Sequence, residues 1–203
     1  MNKIGFKEVV VEETKLDLSE DLIYNQKFFK ENILEDITGK TFDDCIFENC
    51  TINTKLNNCI FTNCKFINCD LTNIIIDNSG LHYITITNSK LYNANIINTT
   101  IKNSIIEESL CDYINLSTLT LNNIEINNNS MKESTIFDNK LTNIKITHNN
   151  LTNSEILETS LNKIDLSSNN ISGIKINTNN IKGVIIETNQ IYDLINLLEV
   201  TIK

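Results

Sequence analysis

The residues in this sequence best suited to chemistry are its thiols and imidazoles. Six cysteines occur in 203 residues. Five of them, Cys45, Cys50, Cys59, Cys64 and Cys69, fall in one short stretch. Thiols at that density suit zinc or disulfide chemistry. A zinc site needs ligands converging at about 2.3 Å on one point, and Cys-x4-Cys is not a usual zinc spacing. A disulfide needs Cβ atoms that face each other. The imidazoles are His82 and His148 alone. No glycine-rich phosphate loop, zinc signature or nucleophile elbow is present. The expectation is no catalytic residue, no metal and no cofactor, which leaves the cysteine spacing to be explained otherwise.

That spacing is the period of the chain. The stretch CIFTNCKFINCDLTN (59–73) repeats a Cys-x-apolar unit every five residues, which suits neither a helix at 3.6 nor a strand at 2. Stepping by five from Leu56 to Ile191 meets 28 positions, and every one is apolar, Cys111 and Met131 included. Phe42, Phe47 and Ile52 carry the same period; the step from Ile52 to Leu56 is four, so one residue is missing there. Let this central residue be i. Position i−2 favours slim side chains such as Cys64, Ser79, Ala94 and Thr99, and in an extended segment i and i−2 share a face. Position i+2 is mostly Asn, from Asn58 to Asn103, with Gly173 and Gly183 in the same place. Asn and Gly tolerate the positive φ that a type II turn requires at its third residue. Each unit therefore reads as a short extended side followed by a tight corner.

The pattern resembles the pentapeptide repeat family, whose units read Ala-Asp/Asn-Leu-x-x. CDLTN (69–73) and ANIIN (94–98) match best, and the resemblance covers residues 42–195 with a start at Ile37. It implies an all-β fold: a right-handed quadrilateral β-helix, a solenoid of four units and about 20 residues per coil, each coil rising about 4.8 Å. Roughly eight coils then make a rod about 37 Å long. The chain divides into a small irregular N-terminal cap (1–36), the β-helix (37–195) and a C-terminal helix or strand cap (196–203). A leucine-rich repeat is the rival, since Leu121-x-x-Ile124-x-Ile126-x-x-Asn129-x-Met131 fits that consensus. Such a repeat has one strand face and a different return, whereas here all four sides carry the same i residue.

In this frame the i−2 cysteines point inward as small apolar filler, with Cys45 under Cys64 and Cys50 under Cys69. Asn129, Asn149, Asn169 and Asn189 occupy i−2 on one side, 20 residues apart, and a stacked amide can bond to the next rung. Ile126, Leu141, Ile146, Leu161, Leu166 and Ile186 should be nearly inaccessible. The side from Phe61 to Ile181 carries Lys102, Lys140, Lys163 and Lys182 and no acid. The next side carries Glu107, Glu108, Glu125, Asp165 and Glu187 against Lys65 and Lys145. His82 and His148 face outward, and Glu108 lies two coils from His148, roughly 10 Å away, beyond acid–base reach. A further side turns Ile97, Phe137 and Leu157 outward, a candidate partner contact.

The ends break the pattern. Phe6–Val11 reads as a strand, and Ser19 as the cap of a short helix bearing Leu22, Gln26, Phe29 and Ile33. A five-residue step through Leu18, Ile23, Phe28 and Ile33 would turn Asp21, Gln26 and Glu31 inward, so an irregular cap is preferred. At the other end Leu194, Leu197, Leu198, Val200 and Ile202 are too apolar to close a solenoid in water. The expectation is a homodimer contact there, as the family resemblance implies.

Net charge is −9 and no arginine is present, which argues against direct nucleic-acid binding. The start lacks the apolar core of a secretory signal and no run reaches membrane length, so no membrane partner is expected. Cysteines without such a signal suit a reducing cytoplasm. The reading is a bacterial, cytoplasmic, non-catalytic interaction or scaffold module with an unknown protein partner. The resemblance implies an alternative, because some family members mimic DNA, bind DNA gyrase and protect it from fluoroquinolones. A 37 Å length of duplex presents roughly 22 negative charges, whereas residues 54–195 hold 13 acids and 10 lysines, a net of −3. That ranks the gyrase (topoisomerase) reading second.

Overall fold

A five-residue side can stack only if its corner is sharp, and the corner is built at i+2. In the computed structural model, which describes residues 4–195, φ lies between 48° and 60° at every corner from Asn58 to Asn103. Asn visits this left-handed region at low cost. Tyr83, Glu108, His148 and Lys163 adopt it too, so the stacking imposes the corner whatever the side chain. Each corner N–H donates to the coil above, as Asn73 does to Tyr92 O at 3.0 Å and Tyr113 to Lys132 O at 2.8 Å. On the third side the corner closes on itself as well: Ile74 N–H donates to Leu71 O at 3.2 Å and Ala94 N–H to Leu91 O at 3.1 Å.

The sides stack in register as four parallel walls of a β-solenoid of about eight turns. The first wall runs through Ile23, Phe42, Phe61, Leu81, Ile101, Leu121 and Leu141. The second runs through Phe28, Phe47, Phe66, Ile86, Ile106, Ile126 and Ile146. The third begins with Ile33 beside Ile52 and continues as single bridges from Thr51 to Asn170. The fourth runs from Ile37 through Leu56, Ile76, Ile96, Leu116, Ile136 and Ile156 to Ile176. Strands Thr100–Glu107, Thr120–Asn127 and Lys140–Thr147 pass round the first corner unbroken and join the first two walls into one sheet.

The i and i−2 side chains fill the centre. At the N-terminal end Phe42 stacks on Phe61 at 4.7 Å and Phe47 on Phe66 at 4.8 Å, both within 5° of parallel. Where these aromatic columns give way to Leu81 and Ile86 a cavity of about 20 Å³ remains, lined wholly by apolar side chains. It is dry by the usual rule that a buried water needs polar partners.

Several expectations change. The helix expected after Ser19 does not form. Leu22–Tyr24, Gln26–Phe29 and Asn32–Ile33 are strands, and Ile23, Phe28 and Ile33 are core, so the solenoid begins before residue 37. The polar i−2 residues of this first coil are tolerated because none is enclosed: Asp21 is exposed, and Gln26 and Glu31 are only half-buried. Asp21 stays exposed and accepts from Lys40 Nζ at 2.9 Å, while Gln26 Oε1 accepts from Thr14 at 3.2 Å. The missing residue between Ile52 and Leu56 recurs between Ile33 and Ile37, so the lowest coils step by 19, as from Ile23 to Phe42. Phe6–Val11 is not a strand; Ile4–Lys7 lie instead along the outside of the first corner.

Ile126, Ile146, Leu161 and Leu166 are buried as expected, but Leu141 and Ile186 are only half-buried. Above Leu141 the ladder stops, because the next coil folds this side into a closed turn (Ile164 N–H to Leu161 O, 2.9 Å). Ile186 lies in the last coil. Ile191, the final five-step position, leaves the repeat and opens the short helix Ile191–Ile195.

Candidate interaction surface

The thiols belong to the filling. All six cysteines are free and buried. Register places Cys45 beneath Cys64 and Cys50 beneath Cys69. Each Sγ of the five i−2 cysteines lies 3.3–3.5 Å from a carbonyl oxygen of its own side and another of the coil below, as Cys64 does with Thr62 and Phe42. Burial raises the Cys59 and Cys64 thiols, the latter well above the ordinary range, and the Cys50 thiol together with burial raises Cys69. Cys111, at an i position, is pushed up to about 12 by burial. The Cys64 and Cys69 thiols in turn lower those of Cys45 and Cys50, the latter to about 7. The four raised thiols, protonated and enclosed, are poor nucleophiles and poor ligands, and Cys45 and Cys50 are enclosed with them. Among the described residues no three His, Cys, Asp or Glu side chains converge as a metal site would require.

The asparagines expected inside form a ladder. Asn129 N–H and Nδ2 donate to Asn149 Oδ1 at 2.9 and 3.0 Å, and Asn149 repeats this to Asn169 at 2.9 and 3.1 Å. Each Nδ2 also reaches a carbonyl of the coil below: Asn129 to Ile106, Asn149 to Ile126, Asn169 to Ile146, all at 2.9 Å. Asn189 does not join them; it is exposed. Gln190 takes the last rung and donates to Asn169 O at 2.7 Å and Leu166 O at 3.0 Å. The start of the terminal helix shifts the chain by one residue, and the longer Gln reaches where Asn189 would have been.

With the centre filled, recognition is left to the walls. His82 is half-buried between Thr62 and Lys102 on the first wall, and burial followed by the Lys102 charge depresses its pKa. His148 stands exposed at a second-wall corner. Among the described residues neither meets a carboxylate. Lys102, Lys140, Lys163 and Lys182 are exposed along the first wall and form no ion pair among the described residues. The wall also extends down to Asp43 and Asp44 beneath them, so it is basic only in its upper part. Glu107 and Glu125 face out from the second wall in adjacent coils, Glu125 beside Lys145.

On the fourth wall Phe137 and Leu157 are in-register neighbours, and Phe137 is 41% exposed. Ile97 is not beside them, because Ser117 occupies the rung between. Leu194 is buried against the last coil and unavailable as a contact. Leu197, Leu198, Val200 and Ile202 lie outside the described residues. A second outward group lies beyond the residues expected from sequence: on the third wall Tyr92 and Tyr113 meet edge-on at 5.2 Å, and Leu110 of the same wall is exposed. They occupy i+1, i+2 and i−1, so the register that exposed Phe137 also marked them.

Residues 59–136 match a family model described as a pentapeptide repeat region. The chain carries a pentapeptide repeat region. Solved structures similar to this chain include a trypsin-treated form of QnrB1, a plasmid-mediated fluoroquinolone resistance protein. It is 12% identical, with a TM-score of 0.43, covering 90% of this chain and 98% of that one. HetL, a pentapeptide repeat protein involved in heterocyst differentiation regulation in the cyanobacterium Nostoc sp. strain PCC 7120, is 11% identical with a TM-score of 0.35, covering 82% and 85%. Rfr23, from the cyanobacterium Cyanothece 51142, is 11% identical with a TM-score of 0.20, covering 83% and 93%. No curated protein matches the chain significantly.

Proposed function

We propose that this pentapeptide repeat protein is a non-catalytic interaction module that works in a reducing cytoplasm and docks a protein partner on a flat wall. The observation that carries the reading is the pairing of Phe137 with Leu157 on the outside of a rod whose inside is full. Among the described residues the filled interior leaves a cavity of only about 20 Å³, far below what a small substrate needs, and an exposed aromatic beside an aliphatic is the kind of anchor that protein interfaces use. In a pull-down, Phe137→Ser combined with Leu157→Ser should release the partner, while Lys140→Ser on the first wall should retain it. Unchanged capture by the double variant would remove this wall from the proposal.

Mimicry of DNA towards a topoisomerase stands second. In its favour is the acidity of the lower coils, with 12 acids and 6 lysines in residues 1–53. Against it stands the lysine-bearing upper part of the first wall, where a DNA-binding enzyme expects phosphate. A gyrase supercoiling assay separates the two readings. No inhibition is expected; inhibition by micromolar protein would reverse the order.

A further inference from the structure

Ile4–Lys7 lie outside the solenoid, yet Gly5 and Phe6 are buried. They descend the corner between the first and second walls across successive coils. Gly5 N–H donates to Asn103 O at 2.7 Å and Phe6 N–H to Thr85 Oγ1 at 2.8 Å. Lys7 exchanges two bonds with the Asn63 amide: its N–H donates to Oδ1 at 2.6 Å, and Nδ2 donates to Lys7 O at 3.0 Å. At Gly5, with φ +76°, a Cβ would sit 2.7 Å from Thr85 Oγ1 and 2.8 Å from Ile105 Cδ1. Lys65 Nζ lies 5.7 Å from the Phe6 ring centre, and Lys7 Nζ lies 3.8 Å over the Tyr83 ring. The groove thus reads a short segment, bent at Gly5, in four ways. It bonds the backbone, admits no side chain at one position, buries an aromatic at the next and stacks a cation at the third. Peptide-recognition sites combine the same devices.

The tether behind this segment is slight. Glu8 and Val10 are exposed, Val10 at 91%, and the chain rejoins the rod through the two-residue strand Glu12–Glu13.

We propose that the corner groove from Asn63 to Asn103 is a binding site for a glycine–aromatic–lysine segment bent at its glycine. Residues 4–7 are its resident ligand in cis, and in trans it takes the same segment of a second copy of this chain. The ligand is matched to the groove at every contact, and each copy carries both. Exchange between copies keeps the contact list unchanged and alters only the tether. A short tether presents its ligand at an effective concentration of about millimolar, so the closed form prevails in dilute solution and exchange grows with protein concentration.

The test uses the full chain and a labelled peptide of residues 2–9. In the wild type the groove is occupied, which weakens apparent affinity by the fraction left free. Gly5→Ala, which displaces the segment sterically, and Phe6→Ser, which removes its anchor, should each bind the peptide at least about tenfold more tightly than wild type. Adding Asn63→Ala should abolish that binding. Gly5 and Phe6 lie outside the solenoid while Asn63 is one of its corners, so retained β-type circular dichroism is required of every variant. Light scattering of the wild type should show a dimer fraction that rises with concentration and disappears in Gly5→Ala. Failure of the peptide to bind either folded variant overturns the site. A wild type that stays monomeric to millimolar concentration, or a dimer that persists in Gly5→Ala, overturns the second-copy assignment.

Discussion

The lower and upper coils solve one packing problem with different chemistry. Below Leu81 the centre is filled by stacked phenylalanines and cysteines, and the lowest coils step by 19 residues. Above Cys111 it is filled by aliphatic residues and an amide ladder from Asn129 to Gln190. Aromatic rings contribute area and stacking without direction. Amides contribute directed bonds that hold only if every rung is occupied. The lower end should therefore tolerate changes among its small fillers and suffer when a ring is lost. The upper end should be sensitive at the ladder itself.

Four measurements sharpen or break this contrast. Phe47 sits between Phe28 at 4.9 Å and Phe66 at 4.8 Å; Phe47→Ala should lower stability by about 3–5 kcal/mol in denaturant unfolding. Because coils contact only their neighbours, the loss of hydrogen-exchange protection should centre on the lower coils; uniform loss would show that the two regions melt as one. Asn149→Ala strands the buried Asn129 N–H and removes one of the two bonds of Asn129 Nδ2, which keeps Ile106 O, and should cost about 2–4 kcal/mol. Its lower counterpart Cys64→Ala removes only a weak S–H donor and should cost about 1 kcal/mol. Equal losses from the two would dissolve the distinction. Leu81→Phe, which extends the Phe42–Phe61 column into the 20 Å³ cavity, should stabilise by less than about 1 kcal/mol, and destabilisation would mean the cavity cannot accept a ring.

Cys111 marks the change from one filling to the other and carries a pH signature. Its thiol is raised in the folded state to about 12. The stability this confers is complete below the ordinary thiol value and is lost as pH rises towards and through about 12, since only the unfolded state ionises easily. Cys111→Val should flatten that part of the alkaline limb of a stability–pH curve. An unchanged limb would show that Cys111 does not shape it and leave the raised Cys59, Cys64 and Cys69 thiols as the next to test.

The five-residue period determined the walls from the sequence alone. One residue in five is apolar and one tolerates positive φ, so the register of Phe61 over Phe42, the inward cysteines, the stacked asparagines and the outward Phe137 beside Leu157 all follow from counting. Counting works because each coil meets only the coil next to it. It fails where a coil lacks a neighbour or where contact is not periodic. Asp21, Gln26 and Glu31 argued against a first coil only on the assumption that they pointed into a closed centre, and Leu141 is half-buried where its sheet ends. Gln190 replaced Asn189 when the helix changed the pitch. The docking of Gly5, Phe6 and Lys7 joins residues to partners 56 and 79 positions away. No local pattern encodes such a contact, and only the folded wall brings Asn63, Thr85 and Asn103 into one line to receive it.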